Sequence, residues 1–275
     1  MQIILLFIAT LSASIWAINA RPALSQPDLQ SSQAPKAAVG TLVLHGGGHV
    51  SLELRAAFTQ YAGGSDAKIV VVPTADVSTP LDPARLLDWK RCNPRSVHLL
   101  HAESHEQASR TEFSQVLDDA TGVWFSGGKQ GYLVSIYDNT PVIDRIKKLI
   151  ERGGVVGGTS AGAAVASTPM LIYDRMQRGF EFLPGTIIDQ HFLSKRRLPR
   201  LQSALEQFPT YVGLGIDEAT ALVVRGPELE VLGESTVTVC FAKSAGRESF
   251  VRELKPGEKG NLTALKQAAK LRAPE

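Results

Sequence analysis

Gly153-Gly154-Val155-Val156-Gly157-Gly158-Thr159-Ser160-Ala161-Gly162-Ala163-Ala164 reads as a strand, a tight turn and the start of a helix in twelve residues. Val155 and Val156 close a short apolar run, Gly158 to Gly162 spells G-x-S-x-G, and a small-residue, helix-compatible segment continues toward Ser167. A serine on such a strand-to-helix turn sits on strained backbone with its hydroxyl exposed, and its neighbours must be nearly free of side chain for the turn to close. Helix-start N–H groups lie beside it, where they can stabilise an oxyanion. Three fixed letters in five also arise by chance, and such turns often serve only close packing. The rest of the chain decides between the two readings.

Thr41 to Leu44, Lys68 to Val72, Ser96 to Leu100 and Gly122 to Phe125 are further short runs, rich in β-branched residues and mostly unalternating. Strands buried on both faces of a parallel sheet have this pattern. Between them, Ser51 to Tyr61, Asp82 to Arg91, Thr111 to Asp119 and Pro141 to Arg152 carry helical spacing, with Pro141 as a first-turn residue and Gly153 as a stop. The alternation predicts an α/β fold, a doubly wound, mostly parallel sheet flanked by helices, with ligands at the carboxyl ends of the strands. Downstream, Met170 to Tyr173 and Thr186 to Asp189 read as short strands and Leu201 to Gln207 as a helix. Val212 to Ile216, Ala221 to Val224, Glu230 to Leu232 and Ser235 to Phe241 then predict C-terminal β-hairpins that finish the same domain. The Lys-rich last segment, roughly 25 residues, is expected to be a peripheral helix or tail.

Met1 to Ala20 contains no charged side chain and ends in small residues, which predicts a secretory signal peptide over 1–20. An uncleaved membrane anchor is the alternative, since about 17 apolar residues just span a bilayer. Either places the folded part outside the cytoplasm. Residues 21–38, rich in Pro, Ser, Gln and Ala, are expected to be a flexible leader, and 39–275 a single domain. With 44% hydrophobic residues that domain can bury a full core, and a net charge of +2 argues against nucleic acid as a partner. Cys92 and Cys240 are the only cysteines; they are compatible with a disulfide or with two buried thiols, and no metal site or cofactor is expected. Asn261-Leu262-Thr263 is a glycosylation sequon.

Several strand ends carry residues suited to chemistry. His45-Gly46-Gly47-Gly48 follows the first strand and Ser126-Gly127-Gly128-Lys129-Gln130 the fourth; either turn could offer N–H groups to an oxyanion or a substrate carboxylate. A serine nucleophile needs a base and a group that orients it. Of six histidines, His191 stands out because it follows an apolar strand and precedes a cationic cluster, Lys195, Arg196, Arg197 and Arg200, able to hold the carboxylates of an acidic substrate. His45 and His49 read as polar turn residues, and His98, His101 and His105 lack any catalytic context. For the third group, Asp217 and Glu218 are adjacent at a strand end and point to opposite faces, so spacing does not choose between them.

Taken together, Phe125-Ser126-Gly127-Gly128-Lys129-Gln130, Gly158-Thr159-Ser160-Ala161-Gly162-Ala163, Asp189-Gln190-His191-Phe192 with its Arg/Leu/Pro/Arg/Leu run, and Gly215 to Leu222 resemble the cyanophycinase-like serine peptidases. These are relatives of the aspartyl dipeptidases with a fold similar to class I glutamine amidotransferase domains. The resemblance covers about residues 40 to 240. It implies hydrolysis of cyanophycin, multi-L-arginyl-poly-L-aspartate, to β-Asp-Arg dipeptides through an acyl-enzyme, without a cofactor. In that reading Ser160 is the nucleophile, His191 the base and Glu218 its orienter. The N–H groups of Gly128 and Ala161 form the oxyanion hole, and Gln130, Asp189, Gln190, Lys195, Arg197 and Arg200 line the substrate site. The partner implied is a peptide or polymer rich in aspartate and arginine; a homodimer stays open. One departure is Lys195, where cyanophycinases usually carry arginine, so an exopeptidase for other aspartyl or isoaspartyl peptides is the alternative. A non-catalytic module holding acidic ligands is the third reading.

Overall fold

The computed structural model describes residues 40–77, 86–244 and 247–273. The expected signal peptide, the expected leader and the first part of the helix expected from Asp82 lie outside them. Fourteen strands are formed within the described residues: β1 (Thr41–His45), β2 (Lys68–Val72), β3 (Ser96–Leu99), β4 (Gly122–Phe125), β5 (Val155–Thr159), β6 (Met170–Ile172), β7 (Arg175–Gln177), β8 (Thr186–Gln190), β9 (Val212–Ile216), β10 (Thr220–Arg225), β11 (Glu228–Gly233), β12 (Val237–Phe241), β13 (Phe250–Leu254) and β14 (Lys259–Asn261). The helices are α1 (Leu52–Tyr61), α2 (Leu87–Lys90), α3 (His105–Ala108), α4 (Gln130–Tyr137), α5 (Pro141–Glu151), α6 (Ala161–Ala164), α7 (Leu198–Gln207) and α8 (Leu262–Arg272).

The main sheet has the order β14-β11-β10-β1-β5-β4-β2-β3. β1, β5, β4, β2 and β3 are mutually parallel, and β10, β11 and β14 extend the edge beyond β1 antiparallel. Both faces are covered. Leu42, Leu44, Val70 and Val72 enter one core with α4, α5 and α8, while Val43, Ile69 and Val71 enter a second with α1 and α2. This is why the strands read as unbroken apolar runs: each alternate residue meets a different core. α5 shows the helical counterpart. Val142, Ile143, Ile146 and Leu149 are buried at three- and four-residue spacing behind Pro141 in the first turn, and each such burial contributes roughly 1.5–3 kcal/mol. On the opposite face Phe58 stacks edge-on to Trp89 and Trp124 at 5.4 and 5.3 Å between centroids.

The C-terminal strands divide between two sheets rather than simply extending one. β10 and β11 pair onto the main sheet, whereas β13-β12-β9-β8 forms a four-stranded sheet of its own in which β8 and β9 run parallel. One face of this second sheet shares the α5-side core through Leu214, Ile216, Val237 and Val239. Its other face is covered by Leu201, Ala204 and Leu205 of α7. The helix expected from Thr111 to Asp119 is a 3-10 helix over Glu112–Leu117, and the chain end docks as α8, burying Leu262, Leu265 and Ala269. Asn261 of the sequon caps that helix, its side chain accepting the Ala264 N–H at 2.9 Å. Cys92 and Cys240 are both free thiols, the second buried and its pKa pushed up to about 12 by that burial.

Candidate active site

Register brings the strand ends together. His45 lies opposite Thr159 where β1 and β5 run parallel, and Phe125 of β4 lies opposite Gly158. The loops after β1, β4 and β5 therefore converge at one edge. In the second sheet Gln190 is opposite Ile216, so the residues that follow, His191 on one strand and Asp217-Glu218 on the other, leave side by side toward the same place.

Ser160 occupies the turn between β5 and α6 with φ 51° and ψ −110°, a backbone conformation that ordinary side chains rarely hold. The turn closes because Gly158 and Gly162 face each other: a methyl on Gly158 would come within 2.5 Å of Gly162 backbone. Ser160 Oγ lies 2.8 Å from His191 Nε2, and His191 Nδ1 lies 2.5 Å from Glu218 Oε1. The hydrogen bond with His191 holds Glu218 below the usual carboxylate range, so it is ionised and can only accept. Nδ1 must then carry the imidazole proton, which leaves Nε2 to accept from the serine hydroxyl.

The two neighbouring carboxylates have separate tasks. Asp217 turns away from the histidine. Its Oδ1 accepts the N–H groups of Leu193 and Ser194, both at 3.0 Å, and its Oδ2 accepts Ser235 Oγ at 2.9 Å. Asp217 therefore caps the turn that leads into the cationic cluster, and Glu218 meets the imidazole.

A cleft of about 530 Å³ opens over Ser160 and His191, walled by Gly128, Gln130, Tyr173, Gln190, Lys195, Arg197 and Arg200. Asp189 differs from the other residues expected to line it. It is completely buried below the floor, where it receives Arg197 Nη1 at 3.2 Å, Arg200 Nε at 3.0 Å and Arg200 Nη2. Burial raises the Asp189 carboxyl pKa against the pull of the two guanidiniums. Its part is to hold both arginines in place at the wall of the cleft. Gln190 donates to Gln130 Oε1 at 3.3 Å and Gln130 donates to the Leu171 carbonyl at 2.7 Å, which ties the β6–β7 hairpin to the cleft. Gln190 Oε1 is buried and lacks a partner among the described residues. The N–H groups of Gly128 and Ala161 have no hydrogen-bond acceptor there either.

The loop after β1 departs from expectation. The Gly46 N–H donates to the Thr220 carbonyl and the Gly47 N–H to His45 Nδ1, so neither is offered to an oxyanion. Gly47, at φ 116°, instead lies against the His191 ring, and His45, which the sequence marks only as a turn residue, is 1% exposed behind the serine. The readable signal was the histidine itself, polar at the end of a strand buried on both faces.

The profile of peptidase family S51 matches residues 42–232. The chain belongs to peptidase family S51. Two relatives are cyanophycinases: that of Geminocystis herdmanii is 31% identical over 201 residues, covering 68% of this chain and 74% of its own. That of a Nostoc species is 31% identical over 239 residues, covering 80% of each. A peptidase from an acI-B1 Actinobacterium has a similar structure, with a TM-score of 0.61, 25% identity, and coverage of 81% of this chain and 97% of that one. Membership makes the chain a cyanophycinase-like serine peptidase and accords with its α/β sheet flanked by helices. Among the described residues, no cluster of three or more His, Cys, Asp or Glu side chains is placed to hold a metal ion.

Proposed function

We propose that this S51 peptidase hydrolyses cyanophycin to β-Asp-Arg dipeptides, with Ser160 as nucleophile, His191 as general base and Glu218 as the group that orients and charges-compensates the imidazole. The observation that carries the reading is the relay from Ser160 to His191 to Glu218, at 2.8 and 2.5 Å, opening on a cleft walled by Lys195, Arg197 and Arg200. Ser160 Oγ attacks the backbone carbonyl as His191 Nε2 takes its proton; the amide C–N bond breaks and the proton passes to the departing amine. Water then attacks the ester, His191 takes its proton, and the acid leaves as Ser160 recovers the hydrogen. The N–H groups of Gly128 and Ala161 receive the oxyanion in each step.

The substrate class rests on charge. The polymer's arginyl units carry free α-carboxylates, which suit guanidiniums already fixed from below by Asp189. Gln190 Oε1, an unpartnered buried acceptor, suits an N–H of the same substrate. Lys195, a point charge and not a fork like Arg197 and Arg200, favours a second reading in which shorter aspartyl or isoaspartyl peptides are preferred. Export follows in this proposal from the N-terminal segment. The test is incubation of residues 21–275 with insoluble cyanophycin beside Ser160→Ala, followed by mass spectrometry of the supernatant. Ser160-dependent Asp-Arg release supports the proposal; cleavage of short aspartyl peptides alone moves it to the second reading.

A further inference from the structure

Three consecutive carbonyls at the end of β1 hold the backbone of the catalytic constellation. His45 O accepts the Ser160 N–H at 2.9 Å, Gly46 O accepts the His191 N–H at 2.7 Å, and Gly47 O accepts the N–H of Ala219, next to Glu218, at 3.0 Å. Nucleophile, base and carboxylate come from three separate strand ends in two sheets, and this tripeptide bonds to the first two and to the residue that follows the third. Its conformation is set by the His45 side chain. Nδ1 meets Thr159 Oγ1 at 2.8 Å and the Gly47 N–H at 3.3 Å. A backbone N–H only donates, so Nδ1 is the unprotonated nitrogen and the proton is on Nε2.

The neutral state is enforced. Burial first, and His191 second, lower the His45 pKa to about 4; Arg55 and His49 act in the same direction and Glu218 opposes them. Protonated Nδ1 would present a hydrogen to the Gly47 N–H and cost the loop its anchor.

We infer that His45 is a positioning residue of this active site, its neutral Nδ1 locking the His45–Gly47 strap that sets Ser160, His191 and Glu218 relative to one another. The inference rests on Ser160 and His191 being the reacting pair, and not on the identity of the polymer.

The test is therefore a small serine-directed phosphonate, which needs no substrate recognition. Labelling of Ser160 is followed by mass in the wild type, His45→Leu, His45→Asn and Thr159→Val, with melting temperature measured on each. A shift of about 1 Å between reacting groups costs on the order of 100-fold. His45→Leu, without an acceptor, is expected to label about 10- to 100-fold more slowly. His45→Asn, whose Oδ1 can take the place of Nδ1, should recover to within about 3-fold of wild type. Thr159→Val should slow labelling several-fold with His45 still present, which keeps the inference testable if His45→Leu does not fold. In the wild type, the ¹⁵N shifts of His45 should show the Nε2–H tautomer at pH 7. Labelling of folded His45→Leu at the wild-type rate, His45→Asn as slow as His45→Leu, or a protonated Nδ1 at pH 7 would each overturn it. A wild type that labels but leaves cyanophycin intact would overturn the substrate proposal alone.

Discussion

Gly47→Ala is expected to disable the active site while leaving most of the fold in place. A methyl at Gly47 would lie 2.5 Å from His191 Nε2 and 2.8 Å from Nδ1. Cε1 would be nearer still, and ordinary contact needs about 3.4 Å or more, so the ring has to retreat by about 1 Å, directly away from its support. Nε2 is the atom that accepts the serine proton, and a displacement of that order costs about 100-fold in kcat. Backbone strain adds a stability loss of about 1–3 kcal/mol, because φ at Gly47 is 116°. Gly48→Ala separates the two effects. Gly48 also has positive φ, 75°, yet the nearest atom to its methyl would be Glu218 Cβ, at 3.3 Å. Both variants should lose melting temperature, and only Gly47→Ala should lose about two decades of kcat. Equal kcat in the two, or Gly47→Ala within about 3-fold of wild type, would refute the argument that Gly47 supports the base.

Asp189→Asn removes the charge that two guanidiniums share, and breaking a buried pair in this way costs about 3–5 kcal/mol. KM for an arginine-bearing substrate should rise about 10-fold, while phosphonate labelling of Ser160 stays within about 3-fold, since Asp189 touches neither Ser160 nor His191. His45 makes stability depend on acid. Between its ordinary pKa of 6.5 and about 4 the unfolded chain binds a proton that the folded chain refuses, so its contribution is intact above pH 6.5 and falls as pH drops through that window. The loss approaches about 3 kcal/mol at pH 4, at about 1.4 kcal/mol per pH decade. Urea unfolding at pH 7 and 4.5 should show that slope reduced in His45→Asn. Activity should survive dialysis against a chelator; loss reversed by zinc would contradict a metal-free mechanism.

The parallel half of the main sheet was legible because its inner strands sit between two cores, leaving runs such as Lys68 to Val72 with no polar alternation to blur their bounds. The second sheet was not. Val212 to Ile216 reads as the same kind of run, and nothing local says that its neighbours are β8 and β12 instead of a strand of the main sheet. α4 leaves little trace in the sequence because it begins Gln130-Gly131, has no side-chain cap and is apolar along much of its length. Ser160 and His191 stood out through their settings, whereas spacing did not rank Asp217 against Glu218; the resemblance named Glu218, and in the structure the turn at Leu193 consumes Asp217. His45 shows in the sequence only as a polar residue closing a buried strand; its importance lies in where its carbonyl and those of Gly46 and Gly47 point, which sequence does not encode locally.

The most direct test of the account is to quench the enzyme in acid during turnover of a short oligomer of β-Asp-Arg units and measure intact and peptide masses. A mass gain equal to the acyl fragment, located on the peptide containing Ser160 and absent from Ser160→Ala, is the result predicted. Turnover that persists in Ser160→Ala, with no covalent species in the wild type, would contradict it.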